Sequence, residues 1–256
     1  MQKLTIVKVG GKVVEEPTSL HALLEDFSKL AGHKMLVHGG GRSATRLSEQ
    51  LGIKAQMHEG RRITNQATLE VVTMVYAGLV NKNIVAALQA MNINALGFSG
   101  ADLNLIRATK RPVTTIDYGF VGDVTGVQTD VAASLITQGV VPVVSPITHD
   151  GKGQLLNTNA DTIAAELAMA MASDFEVHVV YCFEKPGVLL DADDDHSVID
   201  TLDYNQFKEH QLSGVISEGM IPKLDNGFNA LKNGVKAVRI TNTQGLINNK
   251  GTPLTL

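Results

Sequence analysis

The strongest constraint on this chain is a recurring unit: a short apolar run, then a turn residue, then an amphipathic stretch of helical period. At 140–144 the run is Val140-Val141-Pro142-Val143-Val144, with no polar position at either parity. A strand with one wet face alternates, whereas an unbroken apolar run fits a strand covered on both faces. Further strands are predicted at 4–9, 34–38, 95–98, 176–183 and 237–240. Helices are predicted at 19–31, 43–51, 131–138, 162–172, 202–210 and 224–232. Such β-then-α units build a mainly parallel sheet with helices on both faces. The 256 residues allow one large α/β domain, or two small lobes sharing a sheet.

Turn chemistry sharpens the outline. Thr18 or Ser19 opens the first helix and Gly32 stops it, while Gly52 ends the second. A long helical region follows Thr64 to about Met91, either continuous or broken near Asn81. Segments at 106–109, 113–116 and 120–124 alternate around Pro112 and Gly119, which predicts hairpins. A weak division falls near Ser173.

Composition excludes some classes of function. The formal net charge is −4, so nothing resembles a nucleic-acid-binding surface. Cys182 is the single cysteine and lies in an apolar strand run. It reads as a buried thiol in a reducing compartment, since one cysteine closes no internal disulfide. No apolar run in the sequence approaches bilayer-spanning length, and the N-terminus reads as a strand, without a signal-peptide core. A cytoplasmic protein without membrane association is the expectation.

The chemistry-bearing motifs are spread along the chain. Lys8-Val9-Gly10-Gly11 closes the first strand with a cation and two residues that leave backbone N–H groups unobstructed. It is not a Walker A loop, because Lys12 is followed by Val13. His38-Gly39-Gly40-Gly41 places three glycines before a helix N-terminus, an arrangement that suits an anion. It is not a dinucleotide fingerprint, since alanine stands at position 44; His38 itself reads as a strand-end residue with a structural hydrogen bond. Gly60-Arg61-Arg62-Ile63-Thr64 offers an arginine that could clamp a carboxylate, with Arg62 the better placed. A solvated basic loop is the other reading.

Asn157-Thr158-Asn159-Ala160-Asp161 opens a helix with three residues of capping type where one would suffice. If directions alternate, Asn157, Asn159 and Asp161 face one side. Gly219-Met220-Ile221-Pro222-Lys223 puts proline at a helix start and projects Lys223 from the first turn. A cation is disfavoured there unless an anion sits nearby. Asp191-Ala192-Asp193-Asp194-Asp195 lacks the glycine and glutamate of a calcium loop and reads as a solvated hairpin tip.

Taken in order, these five motifs resemble those of the amino acid kinase family, and within it the N-acetylglutamate kinase branch, over essentially the whole chain. The resemblance implies a three-layer α/β/α sandwich around a mainly parallel sheet. Residues 1–173 would form the lobe that binds the amino acid, and 174–256 the lobe that binds ATP. Lys8 and Lys223 would stabilise the transferring phosphoryl group, and Asp161 would position both. Gly40, Gly41, Arg62, Asn157 and Asn159 would hold the acylglutamate. Gly10, Gly11, Glu184, Lys185, Gly187, Leu189, Ile216 and Ser217, with Val215 nearby, would line the nucleotide site. Magnesium would arrive with the ATP, and no protein metal site is implied.

Three positions depart from the family pattern. Glu184 stands where aspartate is usual, Lys185 where an apolar residue is usual, and Asn104 where glycine is commoner. The chain begins at a strand, which resembles the arginine-insensitive, homodimeric type. A sibling kinase acting on N-succinylglutamate, free glutamate or aminoadipate is the alternative, as is a non-catalytic amino-acid sensor. A sensor would be expected to lose Lys8, Lys223 or Asp161.

Overall fold

The computed structural model describes residues 1–58, 61–216 and 219–256. At its centre is an eight-stranded sheet. In spatial order its strands are Leu202–Asp203, Thr252–Thr255, Ala237–Asn242, Phe175–Phe183, Gln2–Val9, His33–His38, Val141–Val144 and Ala95–Phe98. From Ala237–Asn242 to Ala95–Phe98 every neighbouring pair is parallel. Thr252–Thr255 runs antiparallel to Ala237–Asn242.

Period-two alternation sorts the central side chains into two cores. Leu4, Ile6, Val177, Val179, Val238 and Ile240 face one way, toward a cluster that includes Ile163 and Ala164 of helix Ala160–Met171 and Leu224 and Phe228 of helix Ile221–Lys232. Val7, Val9, Leu36, Val143, Val180 and Cys182 face the other. There they meet Leu23, Leu24 and Phe27 of helix Pro17–Lys29 and Ile84 and Leu88 of helix Asn81–Ala90. The result is a three-layer α/β/α sandwich.

A smaller four-stranded sheet orders Leu155–Asn157, Ile147–His149, Ile106–Lys110 and Gly122–Val127. The predicted hairpin exists, but its strands are Ile106–Lys110 and Gly122–Val127, bulged between Arg107 and Ala108. The predicted strand at 113–116 is absent. Pro112 removes a ladder donor, and Val113 is 61% exposed, so nothing there rewards pairing. The loop leading back makes two bridges that matter for the site, Thr64 to Gly119 and Val121 to Asn157.

The first long helix starts at Pro17, earlier than its predicted cap, because proline is suited to the first helical position. The helical region Gln66–Ala90 does not break at Asn81. It widens instead over Met74–Val80 into a π-type turn, a form that often accompanies function. Over an 18-residue stretch its mean hydropathy reaches 1.5, so this 25-residue helix is long and apolar enough to cross a bilayer, contrary to the sequence expectation. Its apolar side, including Leu69, Val72, Val75, Ile84 and Leu88, is packed into the second core, which accounts for the hydropathy.

Candidate active site

Parallel strands end on a common edge, and that edge gathers the motifs. Lys8 is the penultimate residue of Gln2–Val9. Asp161 lies in the first turn of Ala160–Met171, and Lys223 in the first turn of Ile221–Lys232. Asn159 caps the first of these helices: its Oδ1 accepts from the Asp161 N–H at 2.7 Å and the Thr162 N–H at 3.1 Å. Asn159 therefore commits its oxygen to holding the helix that carries Asp161.

The two ammonium groups meet on one carboxylate. Lys8 Nζ is 2.7 Å from Asp161 Oδ1, and Lys223 Nζ is 3.3 Å from Asp161 Oδ2. The Asp161 side chain is 7% exposed, that of Lys8 8% and that of Lys223 19%. Burial alone would push the Asp161 carboxyl up; Lys8 and Lys223 outweigh it and hold the group below its ordinary value. Lys223 also donates to the Gly219 carbonyl at 3.3 Å, which bends it back from solvent. Tyr181, buried beneath, donates its hydroxyl to the Asp161 carbonyl at 3.3 Å. A cluster of two cations on one anion keeps a net positive charge and so attracts a polyanion.

The glycines beside Lys8 are there for space. A Cβ on Gly10 would sit 2.6 Å from Lys8 Nζ. Gly11, at φ +59°, opens the amide of Lys12, which donates to Glu184 Oε1 at 2.6 Å. Glu184 thus bonds to the first glycine turn. Lys185 instead pairs with Asp195 at 2.9 Å, in the acidic hairpin, where both groups are well exposed. Gly187 packs too tightly for a side chain, a Cβ there lying 2.7 Å from Thr252 Oγ1. Leu189 and Ile216 are buried. Ser217 lies outside the described residues, as does Gly60. A cleft of about 430 Å³ beside Glu184 is lined by Lys12, Val13, Phe183, Thr243 and Gln244 among others; Lys8, Asp161 and Lys223 do not line it.

The second glycine turn abuts a buried guanidinium. Arg62 is 8% exposed, and its Nη2 donates to the Gly41 carbonyl at 2.8 Å and to Thr45 Oγ1 at 2.7 Å. Its Nη1 is buried with no protein acceptor. Tyr76 packs beside it: burial raises the phenol, and the charge and hydrogen bond of Arg62 pull it back. Gly40 has φ +157°, and a Cβ there would lie 2.9 Å from the Tyr76 ring. Asn157 Nδ2 donates to the Thr64 hydroxyl at 3.0 Å, tying the Leu155–Asn157 strand to the segment after Arg62. Asn104 takes a left-handed φ of 53°, which asparagine tolerates nearly as glycine does.

Residues 3–242 match the amino acid kinase family. The chain is 60% identical to an acetylglutamate kinase of Phocaeicola vulgatus, over 98% of each. Its fold matches the smu.665 protein of Streptococcus mutans UA159 with a TM-score of 0.83, at 24% identity and 98% coverage of both chains. It also matches a carbamate kinase of Giardia lamblia bound to AMP-PNP, with a TM-score of 0.69 at 13% identity, covering 99% of this chain and 98% of the other. The chain belongs to the amino acid kinase family.

Its fold is the one the sequence motifs imply. Sequence reasoning passed over the supports Tyr181 under Asp161 and Tyr76 beside Arg62, and it named Thr64 without its bond to Asn157. The two tyrosines lie in apolar stretches where they read as core. Of these three contacts, the Thr64–Asn157 bond joins two recognised motifs, and nothing in either motif announces the pairing. Among the described residues no group of three or more His, Cys, Asp or Glu side chains could hold a metal ion. Asp161, the buried acid of the site, already faces two ammonium groups.

Proposed function

We propose that the protein transfers the γ-phosphoryl group of ATP to the γ-carboxylate of N-acetyl-L-glutamate, giving ADP and the acyl phosphate used in arginine biosynthesis. The convergence of Lys8 and Lys223 on Asp161 carries the mechanism, and the full-length identity to an acetylglutamate kinase carries the substrate. The acceptor needs no general base. A glutamate side chain, with a reference pKa of about 4.3, is already ionised at neutral pH. The protein's work is therefore alignment and charge neutralisation.

In this reading Lys8 and the Gly10–Gly11 amides meet the oxygens of the moving phosphoryl group, and Lys223 meets the leaving side. Asp161 holds both ammonium groups apart and aimed before substrate arrives. Arg62, with its free Nη1, receives a carboxylate of the amino acid. Gly40, Gly41, Asn157 and Asn159 complete that subsite. Glu184, Lys185, Gly187, Leu189, Ile216 and Ser217 belong to the nucleotide side. Residues 1–173 would serve the amino acid and 174–256 the nucleotide. Magnesium would ride on the phosphates, since the site's own acid is committed to lysines. The cytoplasm is the proposed location.

A homodimer is the proposed assembly. The edge strand Ala95–Phe98 leaves one side of the sheet unpaired, and Leu96 on it is 42% exposed. Met74 and Leu79, on the π-type turn, are 53% and 54% exposed. An apolar open edge of this kind is usually covered.

Coupled ADP release tests the function with a panel of N-acetylglutamate, N-succinylglutamate, glutamate and aminoadipate. The reading expects turnover highest with N-acetylglutamate. Higher kcat/KM with another panel member moves the assignment to a sibling kinase, and no turnover with any removes it.

A further inference from the structure

We infer that His38, held by Asn81, is a positioning residue that fixes the Gly39–Gly40 peptide and so aims the Gly40 N–H into the substrate site. This rests on the reading that the Gly40–Gly41 turn holds the acceptor or its transferring group.

The turn is pinned on two sides. The Gly39 N–H donates to the Val9 carbonyl at 2.9 Å, which ties it to the strand that carries Lys8. The Gly39 carbonyl lies 2.7 Å from His38 Nδ1. A carbonyl can only accept, so Nδ1 carries the ring's proton. In a planar trans peptide the C=O and N–H point in opposite directions. Holding the Gly39 oxygen against the ring therefore sends the Gly40 N–H away from it. Gly40 cannot fix the turn with a side chain of its own, because a Cβ would run into Tyr76.

Asn81 dictates which ring nitrogen is protonated. Its Nδ2 lies 3.1 Å from His38 Nε2 and donates to the Val143 carbonyl at 2.9 Å. Its Oδ1 accepts from Lys82 Nζ at 3.2 Å. Turning the amide over would set two oxygens face to face at Val143, so one assignment remains: Asn81 donates and His38 Nε2 accepts. The pair is sealed, at 0% and 1% exposure. Burial, chiefly, and the nearby Lys82 charge bring the ring down to about 4, against a weaker opposite pull from Gly39. The strand partner Val9 carries no charge, and Lys82 on the helix is the charged group that acts on the ring. His38 is thus neutral and Nδ1-protonated throughout the working range.

Two measurements test this. Nitrogen-15 NMR of histidine-labelled protein at neutral pH should show His38 with a protonated Nδ1 and a bare Nε2. The Nε2–H tautomer or an imidazolium overturns the inference, whatever the variants do. Asn81→Asp supplies the second arm. Its carboxylate raises the ring's pKa, so that at low pH the imidazolium still donates to Gly39. As pH rises through that value, the remaining proton is drawn to Nε2 and Nδ1 is left facing the Gly39 oxygen. The kcat of Asn81→Asp should then fall on the order of tenfold or more as pH rises from about 6 to about 9, relative to wild type. A profile parallel to wild type overturns the inference. An inert wild-type enzyme would sink the functional reading and leave the tautomer result standing by itself.

Discussion

Asp161 is a single carboxylate with opposing influences on it. Burial favours its neutral form and the ammonium groups of Lys8 and Lys223 favour its charge, with the cations prevailing. A folded-state pKa below the ordinary 3.8 contributes stability that is present above that value and lost as pH falls through the lower one. Asp161→Asn should therefore melt at lower temperature than wild type at neutral pH. The gap should close as pH drops below about 4. Thermal melts across that range check it, and a gap that does not narrow in acid would contradict the account. Arg62 makes a separate prediction. With Nη1 buried and unpartnered, Arg62→Ala should raise the KM for the amino acid on the order of tenfold or more, with a smaller change in kcat. Steady-state kinetics at saturating ATP decides this, and an unchanged KM makes the guanidinium a packing group. Lys8, Asp161 and Lys223 were legible in the sequence because each sits beside glycine, a cap or proline, where a charge needs a reason. The structural hydrogen bond of His38 at its strand end was expected, but its pairing with Asn81, and Tyr181 under Asp161, were not, because those partners lie tens of residues away.

Elements with a strong local pattern read true and those governed by long-range pairing did not. The parallel strands Gln2–Val9, His33–His38, Val141–Val144 and Phe175–Phe183 announce themselves as apolar runs, since both faces are covered. Short strands such as Ile147–His149, Leu155–Asn157 and Thr252–Thr255 exist only because a neighbour offers a ladder, and no local signal marks them. The predicted strand at 113–116 failed for the converse reason: it alternates but finds no partner. Strand Phe175–Phe183 carries a prediction of its own. Cys182 is 1% exposed, and burial pushes its thiol up to about 12, the Thr243 hydrogen bond opposing weakly. In native protein it should resist an aromatic disulfide reagent at mildly alkaline pH, with its reaction rate following global unfolding in denaturant. Rapid labelling without denaturant would show that the strand opens locally.

The whole molecule is a sheet between two apolar cores, with the chemistry at one edge of the strands and an uncovered apolar edge at Ala95–Phe98. The proposed homodimer predicts that sedimentation equilibrium gives the mass of two chains, and that Leu96→Asp shifts the population toward one. A wild-type monomer at micromolar concentration contradicts it. Two lysines from distant parts of the chain are proposed to act on one phosphoryl group. The most direct test is the kcat for ADP release with N-acetyl-L-glutamate in Lys8→Ala and Lys223→Ala, measured beside wild type. Each variant should lose about 2.7–4 kcal/mol of transition-state stabilisation, on the order of 100- to 1,000-fold in kcat, with the KM for ATP little changed. Near-native kcat in both variants would contradict it.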